Sequence, residues 1–290
     1  MNDPIIRDNF AATRAILLDQ KPQTIPLLNV MKFGKVDRTY LYNDTVLLRC
    51  GDTAYLSSDC EEDLCVLLQS VENPEEITNV FCAQEDWVEN ATLCFQCDGF
   101  ETYYQFVAEA PLPEYPCAYE IRPIGKEQLE TVCSRYSHYS EAGYGKNYLE
   151  KRLEAGASFG AFDGETMIGF IFTHEDWSMG GLDILPEYRG KGIAKALESK
   201  LVSFLLEEKK FPYCHCHVGI ENKASLQLQF SLGLTFCDEN VAWLWRTDDW
   251  VDPKQLEEEQ EAYIPKDETD WAEESFEDED DTCGHHHHRH

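Results

Sequence analysis

Basic residues are scarce in this chain. Lys and Arg together number 24 against 55 Asp and Glu, which gives a formal net charge of −31 over 290 residues. Nucleic acids and anionic membranes are polyanions and repel such a surface, so neither is expected as a partner. Cationic ligands such as amines remain open, although a solvated acidic surface is the commoner explanation of such a charge.

Long apolar runs are also missing. No stretch approaches the ~18 consecutive apolar residues of a membrane-spanning helix, and Met1–Arg7 lacks the apolar core of a signal peptide. We therefore expect a cytoplasmic protein whose 12 cysteines are reduced thiols, many of them small apolar residues in strands.

Hydrophobic residues make up 43% of the chain, enough for one large or two ordinary domains. A cluster of prolines predicts a linker at 111–117, between an α/β lobe at 1–110 and a second domain at 118–250. Residues 252–290 carry 15 Asp/Glu against 3 Lys/Arg. We therefore expect an acidic, disordered tail at 251–290, and we assign no role to its final histidines.

The first lobe shows short β-like runs between residues 38 and 110. They include Leu64–Gln69 and Thr92–Cys97, with helical turns expected near Glu61–Leu67 and Asp86–Asn90.

Two cysteine clusters raise the question of a metal site. Cys94-Phe-Gln-Cys97 has the spacing of zinc and redox sites, and Cys214-His-Cys-His217 could supply further ligands. Both segments are predicted strands, in which alternate side chains point to opposite faces, so only part of each set would converge. Ordinary strand cysteines are favoured and no metal site is predicted.

A strand, a glycine-rich turn and a helix stand at the centre of the second domain. The apolar run Leu182–Leu185 leads through Pro186 to Gly190 and Gly192, and a strong helix-forming segment follows from Ile193. Glycines let several backbone N–H groups approach a ligand, and a helix N-terminus behind such a turn is an anion site. The pattern predicts a phosphate cradle.

The elements around this cradle alternate in a regular order. The residues from 118 to 246 predict a strand, two helices, two or three strands, a helix, a strand, a helix and a strand. Asp163-Gly164 predicts a hairpin turn, and the helix Lys223–Leu232 is expected to end at Gly233.

Two motifs in this order resemble the GNAT acetyltransferases. Arg189-Gly-Lys-Gly-Ile-Ala194 is similar to the Arg/Gln-x-x-Gly-x-Gly/Ala signature that cradles the pyrophosphate of coenzyme A. Val218–Ser225, with Gly233-Leu234 after it, resembles the strand-end Asn and the helix-to-Gly-Phe corner of these enzymes. The resemblance implies an α/β fold of GNAT type, with a mixed, mostly antiparallel sheet flanked by helices.

A narrower resemblance covers Trp177–Arg189, which looks like the glycine N-acyltransferase-like branch of the superfamily. That branch implies that residues 1–110 are a degenerate GNAT-like half.

The GNAT resemblance also implies roles for individual residues. Acetyl-CoA or a related acyl-CoA would lie between the strands at 181–185 and 213–218. The backbone N–H of Leu182 would polarise the thioester carbonyl, and Ile184 would pair with the pantetheine arm. Arg189 would shape or charge the phosphate loop. The loop amides expected to hold the pyrophosphate are those of Gly190, Lys191, Gly192, Ile193 and Ala194.

The second motif contributes Asn222 and Ser225 to the implied coenzyme site. Asn222 would hold the pantetheine or cap the start of the next helix, and the two roles are compatible. Family members usually protonate the leaving thiolate with a tyrosine seven residues after this Asn. Here Gln229 occupies that position, and an amide cannot act as a general acid.

The base that accepts the amine proton is open among several side chains. We favour His217 or Glu175, because a histidine or a carboxylate beside the central strands could reach the amine directly or through one water. The other candidates are Asp176, Asp183 and His215.

The expected activity is direct transfer of an acetyl or other acyl group from acyl-CoA to a small primary amine or amino acid. The acceptor pocket is expected near residues 137–146. The alternative is an acyl-CoA-binding sensor or interaction module with weak catalysis, which the missing tyrosine and the large first lobe suggest.

Overall fold

The chain repeats one order of secondary-structure elements. The computed structural model describes residues 4–140 and 144–262. Within these residues, the order strand, two helices, three strands, helix, strand, helix, strand occurs twice. Residues up to Asp248 form one unit and those from Asp249 onward form another.

The first copy of the order spans residues 6–108. Its elements are β1 (Ile6–Arg7), α1 (Phe10–Asp19), α2 (Ile25–Phe33), β2 (Arg38–Tyr42), β3 (Thr45–Cys50), β4 (Thr53–Ser57), α3 (Glu61–Gln69), β5 (Asn79–Cys82), α4 (Val88–Phe95) and β6 (Gly99–Ala108).

The second copy spans residues 120–236, and one more strand and a final helix follow it. The elements are β7 (Glu120–Pro123), α5 (Leu129–Arg135), α6 (Lys146–Glu154), β8 (Phe159–Asp163), β9 (Thr166–Thr173), β10 (Met179–Ile184), α7 (Ile193–Ser203), β11 (Cys214–Gly219), α8 (Lys223–Leu232), β12 (Thr235–Phe236), β13 (Val241–Trp245) and α9 (Pro253–Glu261).

The described strands form two sheets. One has nine strands in the order β1-β2-β3-β4-β5-β13-β6-β11, with β12 also paired to β6, and the other has the order β10-β9-β8-β7. Neighbouring strands run antiparallel except β4 and β5, which are parallel. The expected mixed, mostly antiparallel sheet flanked by helices is confirmed.

The two copies exchange strands. β6 closes the first copy in sequence but pairs with β11 and β12 of the second. β13 follows the second copy in sequence but lies between β5 and β6. A division at residues 111–117 therefore cuts the chain without separating the sheet, and both copies belong to the unit that ends at Asp248.

Helices cover the sheets on both faces. In the first copy, Leu64 and Leu67 of α3 pack with Leu56, whereas Leu17 of α1 packs with Leu48 on the other face. In the second copy, one apolar cluster lies between the sheets and α7 with α8, and a separate cluster lies beneath α5 and α6. Each such leucine contributes about 1.5–3 kcal/mol through its burial.

Two expected strand segments are helical. Leu64–Gln69 belongs to α3, and most of Thr92–Cys97 belongs to α4. The buried residues of α4, Ala91 and Phe95, are four positions apart, which places them on one face of a helix. The helical turns expected beside these segments were therefore the right interpretation, and the β-like composition was misleading.

The hairpin and helix boundaries of the second copy agree with the sequence patterns. β8 and β9 are joined at Asp163-Gly164, with Gly164 at φ 63°. α8 begins after Asn222 and ends at Gly233, whose φ of 79° is the left-handed C-cap conformation.

The expected disordered tail includes a helix. Asp252 caps α9 by accepting a hydrogen bond from the N–H of Lys254, and Pro253 occupies the first helical position. These two local signals explain a helix inside an acidic stretch. Residues 263–290, with the terminal histidines, lie outside the described residues. No helix within 4–140 and 144–262 is long and apolar enough to cross a membrane.

Candidate acyl-coenzyme A site

Two edge strands lie side by side without forming a ladder. β10 is the edge of the four-stranded sheet and β11 is the edge of the nine-stranded sheet, and the two are in contact. In the first copy the corresponding strands, β4 and β5, are hydrogen-bonded as a parallel pair from Thr53 to Leu56. Only the second copy therefore has the split between strands that the sequence predicted.

A β-bulge interrupts β10 at the predicted thioester position. Gly180 pairs with Phe172 and Asp183 with Phe170, so Gly181 and Leu182 together oppose a single residue of β9. Gly181 has φ 64°, and a Cβ at this position would overlap the ring of Phe172. Glycine is therefore required for the bulge, and the bulge takes Leu182 out of the register with β9.

A turn with two left-handed glycines follows β10. Gly190 has φ 76° and Gly192 has φ 79°, and Gly192 is the N-cap of α7. The first intrahelical bond joins Ala196 N–H to the carbonyl of Gly192, so the N–H groups of the first turn have no partner within the helix. Ile193 is buried beneath the turn, and its neighbours are exposed or half-buried. The turn and the first turn of the helix have the free N–H groups that the predicted phosphate cradle requires.

The charged side chains of this cradle are held by local contacts. Nε of Arg189 donates to the carbonyl of Ile184 at 3.2 Å, which ties the loop back to the end of β10. The ammonium of Lys191 lies 5.2 Å from the ring centre of Tyr188. Arg189 thus shapes the loop, and Lys191 remains an exposed positive charge beside it.

The proline-rich segment before β7 passes close to the cradle. The carbonyl of Pro116 lies 3.8 Å from the point where a Cβ on Gly192 would be. The ammonium of Lys195, in the first turn of α7, lies 5.6 Å from the ring centre of Tyr115. The predicted linker is therefore part of the surroundings of the site.

Asn222 caps α8 at the end of β11. Its Oδ1 accepts a hydrogen bond from the N–H of Ser225 at 3.1 Å. This is the helix-capping role that the sequence allowed, and it also explains the place of Ser225 in the motif. The cap stands where β11 ends, beside the split from β10.

Gln229, at the position of the missing tyrosine, is buried between α8 and α7. Its Nε2 donates to Oε1 of Glu198 at 2.8 Å, and both side chains are nearly inaccessible to solvent. Burial raises the pKa of Glu198 to about 7, although the hydrogen bond from Gln229 opposes the rise. No local pattern in the sequence points to Glu198, because its partner is 31 residues away.

His217 lies on the opposite face of β11 from the buried cysteines. Its Nε2 is 3.0 Å from Oε1 of Gln105, and its ring stacks on Phe81. Nε2 of Gln105 already donates to the carbonyl of Gln23, so Gln105 accepts from His217 through Oε1. Nε2 of His217 then carries the proton and Nδ1 is the free lone pair. Burial lowers the pKa of His217 to about 3.

His215 joins β11 to the turn before β10. Its Nδ1 is 3.2 Å from Nδ2 of Asn29, and its Nε2 is 3.7 Å from Oδ2 of Asp176. Asp176 also accepts two hydrogen bonds from Ser178. His215 and His217 lie on the same side of β11, and their ring centres are 5.3 Å apart. Glu175, in contrast, is exposed.

The remaining candidate base, Asp183, is already paired. Its Oδ2 accepts hydrogen bonds from Nε and Nη2 of Arg135 at 3.0 and 2.7 Å. Arg135 also donates to the carbonyls of Met167 and Ile168, so the pair fastens α5 to the β9–β10 edge. A carboxylate held in this way is a structural group.

An aromatic cluster that the sequence did not reveal lies at the other end of β9. The hydroxyl of Tyr148 is 2.6 Å from Nδ1 of His174, and the rings of Tyr144 and Tyr148 are 4.8 Å apart. Tyr103 of β6 donates to Glu101 at 2.8 Å. Residues 141–143 of the expected acceptor loop lie outside the described residues.

The cysteine clusters do not converge on a metal. Cys94 lies in α4 rather than in a strand, whereas Cys214 and Cys216 lie in β11 as expected. Among residues 4–140 and 144–262, no group of three or more His, Cys, Asp or Glu side chains has a metal-binding arrangement.

A polar cavity of about 500 Å³ lies in the first copy, away from the split. Its arginines are paired: Arg49 donates to Glu76 at 2.8 Å, and Arg38 lies 3.4 Å from Glu72. This mutual pairing leaves the cavity without a clear ligand, and we assign it no function.

The fold and the site together define an α/β protein with a split sheet and an anion cradle at a helix N-terminus. Residues 119–230 match the acetyltransferase (GNAT) family. This match places a GNAT acetyltransferase domain in the second copy.

Solved structures share the architecture of nearly the whole chain. A Drosophila protein aligns with a TM-score of 0.64 at 15% identity, over 86% of this chain and 100% of its own. A GCN5-related N-acetyltransferase from Kribbella flavida aligns with a TM-score of 0.51 at 11% identity, over 78% of this chain and 94% of its own. At these identities the likeness concerns the fold alone. No curated protein matches the chain.

Proposed function

We propose that this protein transfers an acetyl or related acyl group from acyl-CoA directly to a small primary amine or amino acid. The observation that carries the proposal is the bulge at Gly181–Leu182, on an edge strand that faces a split and leads into the cradle at Gly190–Ala194. A thioester needs a fixed donor beside its carbonyl, and the phosphates need unpaired N–H groups. The bulged strand β10 offers the donor, and the first turn of α7, which follows it along the chain, offers the unpaired N–H groups.

In this proposal the pyrophosphate of the coenzyme binds the amides of the first turn of α7, with Lys191 adding positive charge. The pantetheine arm pairs with Ile184, and the N–H of Leu182 polarises the thioester carbonyl. A donor aimed at developing negative charge contributes roughly 3 kcal/mol to the transition state. Asn222 fixes the start of α8 on the other side of the arm.

Supporting evidence for an amine acceptor comes from the far end of β9. Tyr144 and Tyr148 form an aromatic wall beside His174, and Glu175 and Glu101 add negative charge. Aromatic faces and carboxylates both favour a cation, as an amine is before it loses its proton.

For the base we propose His217, with Glu175 as the competing candidate. His217 is neutral at physiological pH because burial lowers its pKa to about 3, so Nδ1 is free to accept a proton but is a weak base. Glu175 is exposed and could act through water. His217→Ala should lower turnover without changing coenzyme affinity. Unchanged turnover would leave Glu175, to be tested by Glu175→Gln.

We further propose that the first copy is a degenerate GNAT-like half, as in the glycine N-acyltransferase-like branch. Two observations support this. The first copy repeats the element order of the second, and its β4 and β5 are hydrogen-bonded where β10 and β11 are split. In addition, the first turn of α3 carries Glu61, Glu62 and Asp63, which repel phosphate.

Calorimetric titration with acetyl-CoA tests the donor site. The wild type should bind, and Lys191→Glu or Gly192→Glu should weaken binding at least about tenfold, because each places a carboxylate beside the phosphates. Lys200→Glu makes the same charge change as Lys191→Glu, on an exposed residue near the opposite end of α7, and should leave affinity nearly unchanged. A wild type that does not bind acetyl-CoA would overturn the proposal.

A second candidate function is an acyl-CoA sensor with weak catalysis. It is favoured by the burial of Gln229 against Glu198, which leaves no tyrosine hydroxyl at this position. A screen of acetyl-CoA consumption against amines, amino acids and peptides separates the two functions. Coenzyme binding without transfer to any acceptor would favour the sensor.

A further inference from the structure

Glu198 and Gln229 form a buried polar pair with unused hydrogen-bonding capacity. The side chains are 3% and 2% exposed, and one hydrogen bond of 2.8 Å joins Gln229 Nε2 to Glu198 Oε1. Among the described residues, Glu198 Oε2 and Gln229 Oε1 are buried without any hydrogen-bond partner. A buried carboxyl group with one donor and no cation is costly unless it carries a proton or has a further partner.

The surroundings of Glu198 favour the protonated acid. α8 contributes the neutral Gln229, and β11 contributes the thiols of Cys214 and Cys216. The faces of β8 and β9 beneath α7 are apolar. On β10, Asp183 is paired with Arg135, and on α7 itself Lys195 is directed to Tyr115 and Lys200 is exposed. Burial in these surroundings raises the pKa of Glu198 to about 7, against the opposing hydrogen bond from Gln229.

Glu198 also lies on the part of α7 that packs near the end of β10, where the strand continues beyond the bulge. A Cβ on Gly169 would lie 2.6 Å from Cδ1 of Ile184 and 3.4 Å from Cδ1 of Leu197, so Leu197 is level with Ile184. Glu198 is the next residue on α7, about 1.5 Å further along the helix axis. Its side chain meets Gln229 of α8, and α7 and α8 share one apolar cluster with residues of β10 and β11.

We propose that Glu198 is the general acid that protonates the leaving thiolate of coenzyme A, with Gln229 holding its carboxyl group in place. The inference rests on the proposed acyltransferase function. The amine nitrogen attacks the thioester carbon, the N–C bond forms and the C–S bond breaks. The base takes one proton from the nitrogen, the thiolate takes one from Glu198, and solvent returns a proton to the carboxylate.

Glu198→Gln tests this role, because it keeps the size of the side chain and removes the transferable proton. The variant should bind acetyl-CoA with wild-type affinity and lose about 10²-fold in kcat at pH 7. In the wild type, kcat should fall as the pH rises past about 7, when the acid is deprotonated. The variant should lack this dependence. Ser199→Ala, at the neighbouring buried residue of α7, should keep both kcat and its pH profile.

An infrared measurement checks the proposal without relying on turnover. The wild type should show a carboxylic acid C=O band that titrates near neutral pH, is absent in Glu198→Gln, and shifts when acetyl-CoA binds. Unchanged kcat and pH profile in Glu198→Gln, or a band that ignores acetyl-CoA, would overturn the role of Glu198. A wild type that binds acetyl-CoA and shifts the band but transfers to no amine would instead overturn the transferase function.

Discussion

Nε2 of His215 lies 3.7 Å from Oδ2 of Asp176, and this contact joins β11 to the turn that begins β10. Asp176 is 4% exposed and His215 is fully buried. Beyond this point no ladder connects the two strands within the described residues. The contact therefore closes one end of the split, and the bulge at Leu182 follows on the open side.

Removing the Asp176 carboxylate should destabilise the protein. Burial opposes ionisation of Asp176, but the neighbouring His215 and the hydrogen bonds from Ser178 hold its pKa below the ordinary range. Asp176→Asn should lower the free energy of unfolding by about 3 kcal/mol, measured by urea denaturation at pH 7. Glu175→Gln, at the exposed neighbouring carboxylate, should change it by less than about 0.5 kcal/mol.

The sign of the pH effect follows from the lowered pKa. A carboxyl with a folded pKa below its unfolded value stabilises the protein above the unfolded value, near 3.8, and loses this contribution as the pH falls further. The difference in the free energy of unfolding between the wild type and Asp176→Asn should therefore be constant between pH 5 and 8. A deficit that vanishes within this window would contradict the assignment.

Each chain should bind one coenzyme. The first turn of α3 carries three acidic residues, and β4 and β5 leave no split between them, whereas α7 begins with two glycines in the left-handed conformation. Calorimetric titration should give a stoichiometry near one acetyl-CoA per chain. Lys191→Glu should weaken all of the acetyl-CoA binding, because no second site in the first copy would remain unaffected. Two equivalents bound by the wild type would show that the first copy also holds coenzyme.

Gly181 and Gly164 form a matched pair for testing the bulge. Their φ angles are 64° and 63°, but an added Cβ overlaps Phe172 only at Gly181 and has no atom within 4 Å at Gly164. Gly164→Ala should destabilise by about 1–2 kcal/mol through backbone strain alone. Gly181→Ala should lose about 1–3 kcal/mol more and also lower acyl transfer. Equal losses would mean that the close approach to Phe172 is unimportant.

Buried histidines should make the fold sensitive to acid. Burial lowers the pKa of His174 to about 4 and that of His217 to about 3. Between these values and pH 6.5 the unfolded chain binds protons that the folded chain does not. The free energy of unfolding is therefore highest above pH 6.5 and falls as the pH is lowered.

The fall should reach up to about 1.4 kcal/mol per pH unit for each histidine. His174→Gln should have a shallower dependence on pH than the wild type between pH 6.5 and 4, measured by urea denaturation at fixed pH. His138→Gln, a substitution at an exposed position, should retain the wild-type slope. A wild-type slope in His174→Gln would contradict the burial effect.

Local patterns in the sequence predicted local structure well. The Asp163-Gly164 hairpin and the helix between Asn222 and Gly233 are set by turn and capping chemistry, which involves residues a few positions apart. The glycine turn at Gly190–Gly192 is equally local, so its residues alone were enough to predict a turn before α7. Thr92–Cys97 was misread because its apolar residues suit a strand by composition, whereas burial of Ala91 and Phe95 selects a helix.

The relationships that the sequence did not reveal are distant along the chain. Glu198 meets Gln229 across 31 residues, and Tyr148 meets His174 across 26. The pairing of β13 with β5 joins Trp243 to Phe81, and no short-range pattern specifies such a partner. The choice of neighbour in a sheet depends on how whole copies pack. The proposed base and the proposed acid belong to this second group, because each is defined by partners from different elements.

The exchange of β6 and β13 makes the sheet of each copy depend on a strand of the other. Loss of the first copy would remove β6, the strand that pairs with β11. β11, which lies beside the split, would then have an unpaired edge. Loss of the chain after α8 would take β13 from β5 and β6 in the same way. The proposed site in the second copy therefore depends on a strand that the first copy supplies.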